Sequence, residues 1–436
     1  VYARKSKTGD GWNNVIYKNG IVVDADGNTV TEGVPENLTS GTEVSGLSGK
    51  QYNEGTAYTL VKRPSYMAGY TFEGWYSDAE CTAAIDSISA ETTDDVTVYA
   101  KWKVYSGWDG KSDREPAKAD DGVYEIYYVD ELNWFAKQVN SGNNAISARL
   151  MTDIDINPGA QWTKNADNKI YTVENAANRW TPIGTNTKRF KGEFDGNGHK
   201  ITGLYVKIDS DYTGLFGYTE NAVIKNITLD KGIIYPTGQN RKYAGAVAGY
   251  TDKTRIVNCI SDVSVYSSPS VDSYNGGSAY YGGIAGYLNG SAVDNCKVNA
   301  YVDCDDNVGG IAGFISGKSS IVKSYADVHM WGDDYIGGIA GCITSGSESY
   351  IYKCKVTGYI RGYYAGGIAG RTVSNLGVID MCEADMDYIY GRSTTGAISS
   401  VIYGTVTNCY VSVKDAGGRS CCGLADSIDS KAVISN

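Results

Sequence analysis

Carboxylates gather at two comparable points of this 436-residue chain: Asp303, Asp305 and Asp306 stand just before one glycine-rich signature, and Asp333 and Asp334 just before the next. If the two points stack in the fold, their acids come within reach of each other. Two or three carboxylates on one face, or a carboxylate with Lys or Arg, are what acid–base cleavage of a polysaccharide requires. Carboxylates with carbonyls are what calcium requires. Against both stands the preference of Asp for turns and solvated loops, and that reading weighs more. Arg361 falls at a comparable point one repeat later, where a single Arg near acids is ordinarily a surface ion pair. A second row is aromatic: Tyr243, Tyr280, Tyr335 and Tyr364, with Asn307 among them, each stand two positions before a glycine pair or its equivalent. Exposed, such a row suits sugar rings, because Tyr offers an apolar face and a polar tip. Strict strand alternation instead turns these Tyr inward unless a bend intervenes, which favours structural stacking.

Other chemistry has little material. The two histidines, His199 and His329, form no His-Glu-x-x-His helix, and His199 follows Gly196-Asn197-Gly198 in a turn. Neither a Gly-x-Ser-x-Gly elbow nor a P-loop occurs, and the glycine-rich strings keep strand periodicity. No catalytic residue, resident cofactor or metal set is therefore expected, a calcium site among the Asp loops being the one alternative.

The elements that must position these rows repeat. Thr213-Gly-Leu-Phe-Gly217, Gly245-Ala-Val-Ala-Gly249, Gly282-Gly-Ile-Ala-Gly286, Gly309-Gly-Ile-Ala-Gly313, Gly337-Gly-Ile-Ala-Gly341 and Gly366-Gly-Ile-Ala-Gly370 end 32, 37, 27, 28 and 29 residues apart, with degenerate copies at Gly396 and Cys422. About ten residues after each runs a second register: Asn226-Ile227, Asn258-Cys259, Asn295-Cys296, Lys323-Ser324, Lys353-Cys354, Met381-Cys382 and Asn408-Cys409. A period of this size, with β-branched and aromatic runs between turn residues, means short strands in one supersecondary unit stacked on its copies. The expected architecture is mainly β, a right-handed parallel β-helix of seven or so coils, its rungs at the ~4.8 Å spacing of paired strands. Equivalent inward sites then meet their own kind above and below. The Cys residues fit an interior column as small unpaired hydrophobes, since one Cys per coil provides no metal or redox spacing. Ile284, Ile311, Ile339 and Ile368 form a matching column.

Composition bounds the partners. The chain holds 54 Gly and 36 Tyr against 7 Pro and 6 Phe, with a formal charge of -11. That charge argues against nucleic acid and anionic membranes, and no apolar run is long enough to span a bilayer. Val1-Tyr-Ala-Arg4 echoes Val98-Tyr-Ala-Lys101, and Ala432-Val-Ile-Ser-Asn436 echoes Ala222-Val-Ile-Lys-Asn226, so the chain is expected to be part of a longer protein.

Residues 1–103 lack the coil signature and are read as a separate module, 104–119 as a linker and 120–436 as the β-helix. Within 120–436, Leu132, Phe135, Ala136 and Val139 recur at helical spacing between a capping Asp130 and Gly142; this helix is expected to cap the first coil. In the N-terminal module, Gly69-Tyr-Thr-Phe-Glu-Gly-Trp-Tyr-Ser-Asp78 and Asp95-Val-Thr-Val-Tyr-Ala-Lys-Trp102 resemble the Listeria–Bacteroides repeat, the internalin-type B repeat of bacterial surface proteins. That resemblance implies a small β-grasp-like spacer or binding unit outside the cell.

The ordered set DELNWFAKQVN, TDIDI, WTPIG, FKGEFDGNGHKITGLYV, GLFGY, AVIKNITLD and repeated GGIAG, over roughly 120–436, resembles bacterial cell-surface proteins carrying GLUG motifs. The metallopeptidase activity of the GLUG-bearing immunoglobulin A proteases does not carry over without a zinc-binding helix. Together the resemblances imply an extracellular or wall-associated binding protein, an adhesin recognising a glycan or a host surface protein. A β-helix polysaccharide lyase or glycoside hydrolase is the alternative, and a passive stalk displaying another domain is the third reading.

Overall fold

The structure, a computed structural model, describes residues 12–47, 49–64, 67–176, 178–238, 242–267, 279–304, 306–344, 348–373 and 375–435. The chain divides into two compact units, Val1–Gly107 and Trp108–Asn436. In the first, the strand Val96–Val104 lies between Trp12–Val23, to which it is parallel, and Tyr70–Tyr76, to which it is antiparallel. Alternation along these strands buries Val15, Tyr17, Trp75, Val98 and Trp102. Each buried indole finds an acceptor: Trp75 Nε1 donates to the Val61 carbonyl at 2.6 Å, and Trp102 Nε1 to Asn19 Oδ1 at 2.8 Å. The Asp78 carboxylate closes the following turn by accepting from the Thr82 and Ala83 amides, and these bonds hold its pKa below the ordinary value.

The second unit is a parallel β-solenoid of about eight turns. Its strands fall into three long sheets whose neighbours are successive coils. One coil shows the plan: Lys297–Cys304 and Asn307–Gly309 lie in one sheet, Ala312–Ser316 in the second and Ser320–Val322 in the third. The corner after the third sheet is made by one residue per coil with positive φ: Asn226, Asn258, Asn295, Lys323, Lys353, Met381 and Asn408, at 49 to 54°. Asn tolerates that conformation best, and its amide adds a ladder. Asn258 Nδ2 donates to Asn226 Oδ1 at 3.1 Å, and Asn295 Nδ2 to Asn258 Oδ1 at 2.8 Å.

The residue after each corner points inward. Cys259, Cys296, Ser324, Cys354 and Cys382 are buried, and each sulfur or hydroxyl donates to the carbonyl two residues before it, at 2.9 to 3.5 Å. Cys409 departs from the expected enclosure: it is only partly buried. At the Gly-Gly bend the second glycine of each pair, Gly283, Gly310, Gly338 and Gly367, lies against the next coil. A Cβ there would sit 2.1 to 2.3 Å from a carbonyl oxygen of that coil, so close rung-to-rung approach requires glycine. The bend delivers Ile284, Ile311, Ile339 and Ile368 to the core at 0% exposure.

The helix spans Val129–Ser141 and buries Leu132, Phe135, Ala136 and Val139, with Gly142 left-handed at its C-terminus. Phe135 packs 5.9 Å from Phe190 and 5.7 Å from Phe194. Asp130 is not the N-cap. That position is Tyr128, while Asp130 lies in the first turn and pairs with Arg114 at 3.2 Å. Of residues 104–119, Trp108 packs against Trp180, and Ala117–Lys118 pairs with Tyr124–Ile126. A hairpin, Gln161–Lys164 with Tyr171–Glu174, lies on the outward side of the long strands. Lys164 pairs with Asp262 and Lys169 with Asp327, and Tyr171 Oη donates to Asp262 Oδ2 at 3.0 Å.

Candidate functional site: a cleft at the solenoid corner

The long strands Lys297–Cys304, Tyr325–Gly332, Lys355–Gly366 and Glu383–Gly396 alternate strictly where they approach the corner. Val302, Met330, Ile360 and Ile389 are fully buried, which turns Asp303, Trp331, Arg361 and Tyr390 outward, in register on successive coils. Next along the chain come Cys304, Gly332 and Gly362. A Cβ on Gly362 would lie 2.2 Å from Ile336 Cδ1, and one on Gly332 2.6 Å from the Cys304 carbonyl oxygen. The core side chain of Ile336 thus demands glycine, and the floor of the corner is backbone. Over this floor opens a cleft of about 80 Å³, walled by Asp303, Trp331 and Arg361 on one side and by Asp333 and Arg392 on the other.

The walls carry both polarities beside an aromatic. Trp331 is 40% exposed. The Arg361 guanidinium lies 4.9 Å from the Trp331 ring centroid and 5.5 Å from that of Tyr390, an arrangement that fixes a cation without neutralising it. Among the described residues Arg361 makes these ring contacts where a surface ion pair is expected, because its strand position stacks it between two aromatic rungs. Tyr301 Oη donates to Asp303 Oδ2 at 2.8 Å and orients that carboxylate. Arg392 Nη1 stands 3.4 Å from Asp333 Oδ1, with both side chains more than half exposed. Donors, acceptors and an indole thus meet over one backbone floor.

The Asp loops separate in the structure. Asp303 and Asp333 share the cleft, while Asp305 lies outside the described residues. Asp306 points elsewhere, its carboxylate accepting the Ala279 amide and its carbonyl accepting that of Tyr335 at 2.9 Å. Asp334 is half-buried, and desolvation, with Asp333 beside it, raises its carboxyl above the ordinary range. Among the described residues no group of three or more His, Cys, Asp or Glu could hold a metal ion.

The Tyr row is outward, not inward with the Ile column. Ala244, Tyr281, Val308, Ile336 and Ala365, the next residue in each coil, are fully buried, so the preceding Tyr243, Tyr280, Asn307, Tyr335 and Tyr364 face out; the Gly-Gly bend then shifts the alternation before Ile284 and its equivalents. The rings stack along the solenoid: Tyr243 and Tyr280 at 5.2 Å and 20°, Tyr335 and Tyr364 at 4.9 Å and 14°. A second row, Tyr218, Tyr250, Tyr287 and Phe314, stacks beside it at 4.6 to 4.8 Å. Rings stacked this way spend their faces on each other, and Tyr218 and Tyr280 are thereby buried.

Reading the sequence alone missed Trp331, Tyr390 and Arg392. The available signal was the alternation His329-Met-Trp331 and Tyr359-Ile-Arg361, which marks one outward face once Met330 and Ile360 are taken as core.

Residues 24–101 match the Listeria–Bacteroides repeat domain. A protein of Evansella cellulosilytica, provisionally described as a Gly-rich membrane protein, is 46% identical over 52 residues, 12% of this chain and 6% of that one. Halomucin of Haloquadratum walsbyi is 31% identical over 133 residues, 30% of this chain and 1% of its own length. The chain therefore spans a small fraction of the curated relatives it matches. Among solved structures, a protein of Bacteroides ovatus provisionally described as an immunoglobulin A1 protease superposes with a TM-score of 0.46 at 22% identity, covering 72% of this chain and 87% of that one. An IgA1 protease gives 0.40 at 15% identity, covering 78% and 23%.

Proposed function

We propose that this chain is part of a bacterial surface protein that binds glycans without cleaving them, and that the corner cleft of the solenoid is where it does so. The observation that carries this reading is the convergence of Asp303, Asp333, Arg361 and Arg392 beside the exposed Trp331 over a backbone floor. The Listeria–Bacteroides repeat at 24–101 and the membrane-protein name of the Evansella relative support an extracellular or wall-associated setting. The Gly-Gly-Ile-Ala-Gly bends are read as GLUG motifs, and the Tyr243, Tyr280, Tyr335 and Tyr364 row as structural stacking. Glycan-array binding by the wild type, lost in Trp331→Ala and in Arg361→Ala while both variants keep the wild-type circular dichroism, is the expected result. Array binding unchanged in both variants would remove the cleft.

One observation favours a second reading, a polysaccharide lyase or hydrolase: two carboxylates and two guanidinium groups do meet on one lateral face. Incubation with polygalacturonate, xylan and hyaluronan decides it. New reducing ends or unsaturated products that vanish in Asp303→Asn or Asp333→Asn would replace binding by catalysis.

A further inference from the structure

A stacked aromatic row hides ring faces everywhere but at its ends, so the ends are where a ligand ring can join it. The two outward Tyr rows end differently at the first coil. Tyr218, which begins the second row, has the Arg189 guanidinium 4.5 Å over its ring, and Arg189 is held by Glu220 at 3.1 Å. That end is closed. Tyr212 begins the first row: it stacks on Tyr243 at 5.1 Å with planes 10° apart and meets Tyr218 edge-on. Among the described residues no ring or cation stacks on its opposite face, and Tyr212 lines a cleft of about 430 Å³.

The cleft is built from fixed parts. One wall is the turn at Pro182–Asn186, anchored by the helix through Asn140, whose Nδ2 donates to the Pro182 carbonyl at 3.0 Å and whose Oδ1 accepts the Gly184 amide at 2.7 Å. Thr185 and Lys188 exchange backbone hydrogen bonds at 3.0 and 3.2 Å and keep that turn closed. The other wall carries Asp209 and Asp211. The fully buried Lys242 ammonium stands 2.8 Å from Asp209 Oδ1 and 3.6 Å from Asp211 Oδ1, while the two carboxylates remain 65% and 46% exposed. Lys242 thus positions them with acceptor capacity directed to solvent.

We infer that the open face of Tyr212 is a second carbohydrate site, which takes the pyranose ring of a neutral sugar. The axial C–H face of the sugar continues the stack beyond Tyr212, as Tyr243 does on the other side. Vicinal hydroxyls donate to Asp209 and Asp211, and the Thr185 and Asn186 side chains line the remaining edge. Two carboxylates on one wall repel a uronate, so acidic sugars are excluded. The site shares the glycan-binding reading with the corner cleft but none of its residues.

Saturation-transfer NMR on the whole chain tests it, with methyl glycosides of glucose, galactose, mannose, N-acetylglucosamine and galacturonate as probes. At least one neutral glycoside is expected to receive saturation on its axial protons, to bind about tenfold more weakly to Tyr212→Ala, and to bind Tyr212→Phe as it binds the wild type. Loss in Trp331→Ala with retention in Tyr212→Ala would overturn this site and leave the corner cleft standing. Equal binding by Tyr212→Ala and wild type, preference for galacturonate, or no transfer to any neutral probe would also overturn it.

Discussion

The His329 ring lies parallel to that of Tyr359, centroids 4.5 Å apart and planes 9° apart, and Tyr359 stacks on Tyr388 at 4.5 Å and 12°. Tyr359 is therefore the middle of a three-ring ladder on the outward face of the long strands. Parallel pairing of His329 with Tyr359 and of Tyr359 with Tyr388 puts these rings one rung apart, which is the separation at which rings touch.

Removing the middle ring should cost both contacts. Tyr359→Ala is expected to destabilise the solenoid by about 1–3 kcal/mol, two aromatic pairs, read as a lower denaturation midpoint in urea, while Tyr359→Phe keeps the stack and the midpoint. Equal midpoints for Ala and Phe would show that the ladder contributes nothing.

His329 gives the fold a pH dependence of definite sign. Burial disfavours the imidazolium and the Lys169 ammonium adds repulsion, against a hydrogen bond that the ring donates to the Asp167 backbone carbonyl, so its folded pKa lies below the ordinary 6.5. The unfolded chain then binds the proton more readily. Stability from the neutral ring is whole above about pH 6.5 and is lost as the pH falls from there through the folded pKa. Thermal midpoints measured from about pH 8 to about pH 5 should fall more for the wild type than for His329→Phe. Parallel curves would contradict the assignment.

The cysteine column makes a prediction about reactivity. Cys421 is exposed, whereas Cys259, Cys296, Cys354 and Cys382 are enclosed. The hydrogen bond with Cys354, with burial in support, pushes the Cys382 thiol up to about 12. Alkylation needs an accessible thiolate. Iodoacetamide on the native protein should modify Cys421 and leave those four untouched until denaturant is added; native labelling of Cys259 or Cys296 would refute the packed column. Cys382→Asp, which places an unpaired charge in the same column, should cost more than about 4 kcal/mol and unfold adjacent coils.

Some of this was legible because stacking makes each inward position face itself. Gly-Gly-Ile-Ala-Gly and Asn-Cys recur since a column tolerates one size and one backbone conformation, and the four helix positions Leu132, Phe135, Ala136 and Val139 recur for the same kind of reason. The facing of Tyr280 was not legible: it depends on whether Gly282 and Gly283 continue the strand or bend it, and glycine permits both. Nor did Lys323, Lys353 and Met381 announce their left-handed corners, because the ladder above and below holds a conformation their side chains do not favour. The cleft was least visible, since joining Asp303 to Trp331 and Arg361 requires the register between coils of unequal length.

The glycine column gives the sharpest test of that register. A Cβ on Gly338 would lie 2.2 Å from the Gly367 carbonyl oxygen and 2.6 Å from a Val356 methyl, so Gly338→Ala must either separate two rungs or displace a core side chain. Both are overpacking in a tight interior, at a cost of about 1–3 kcal/mol. At Gly423 a Cβ meets nothing within 4 Å, and Gly423→Ala should leave the urea midpoint where it is. If Gly338→Ala unfolded at the wild-type midpoint as well, the rungs at the bend would be farther apart than the carbonyl contact allows, and the inward delivery of Ile339 and Ile368 would need another explanation.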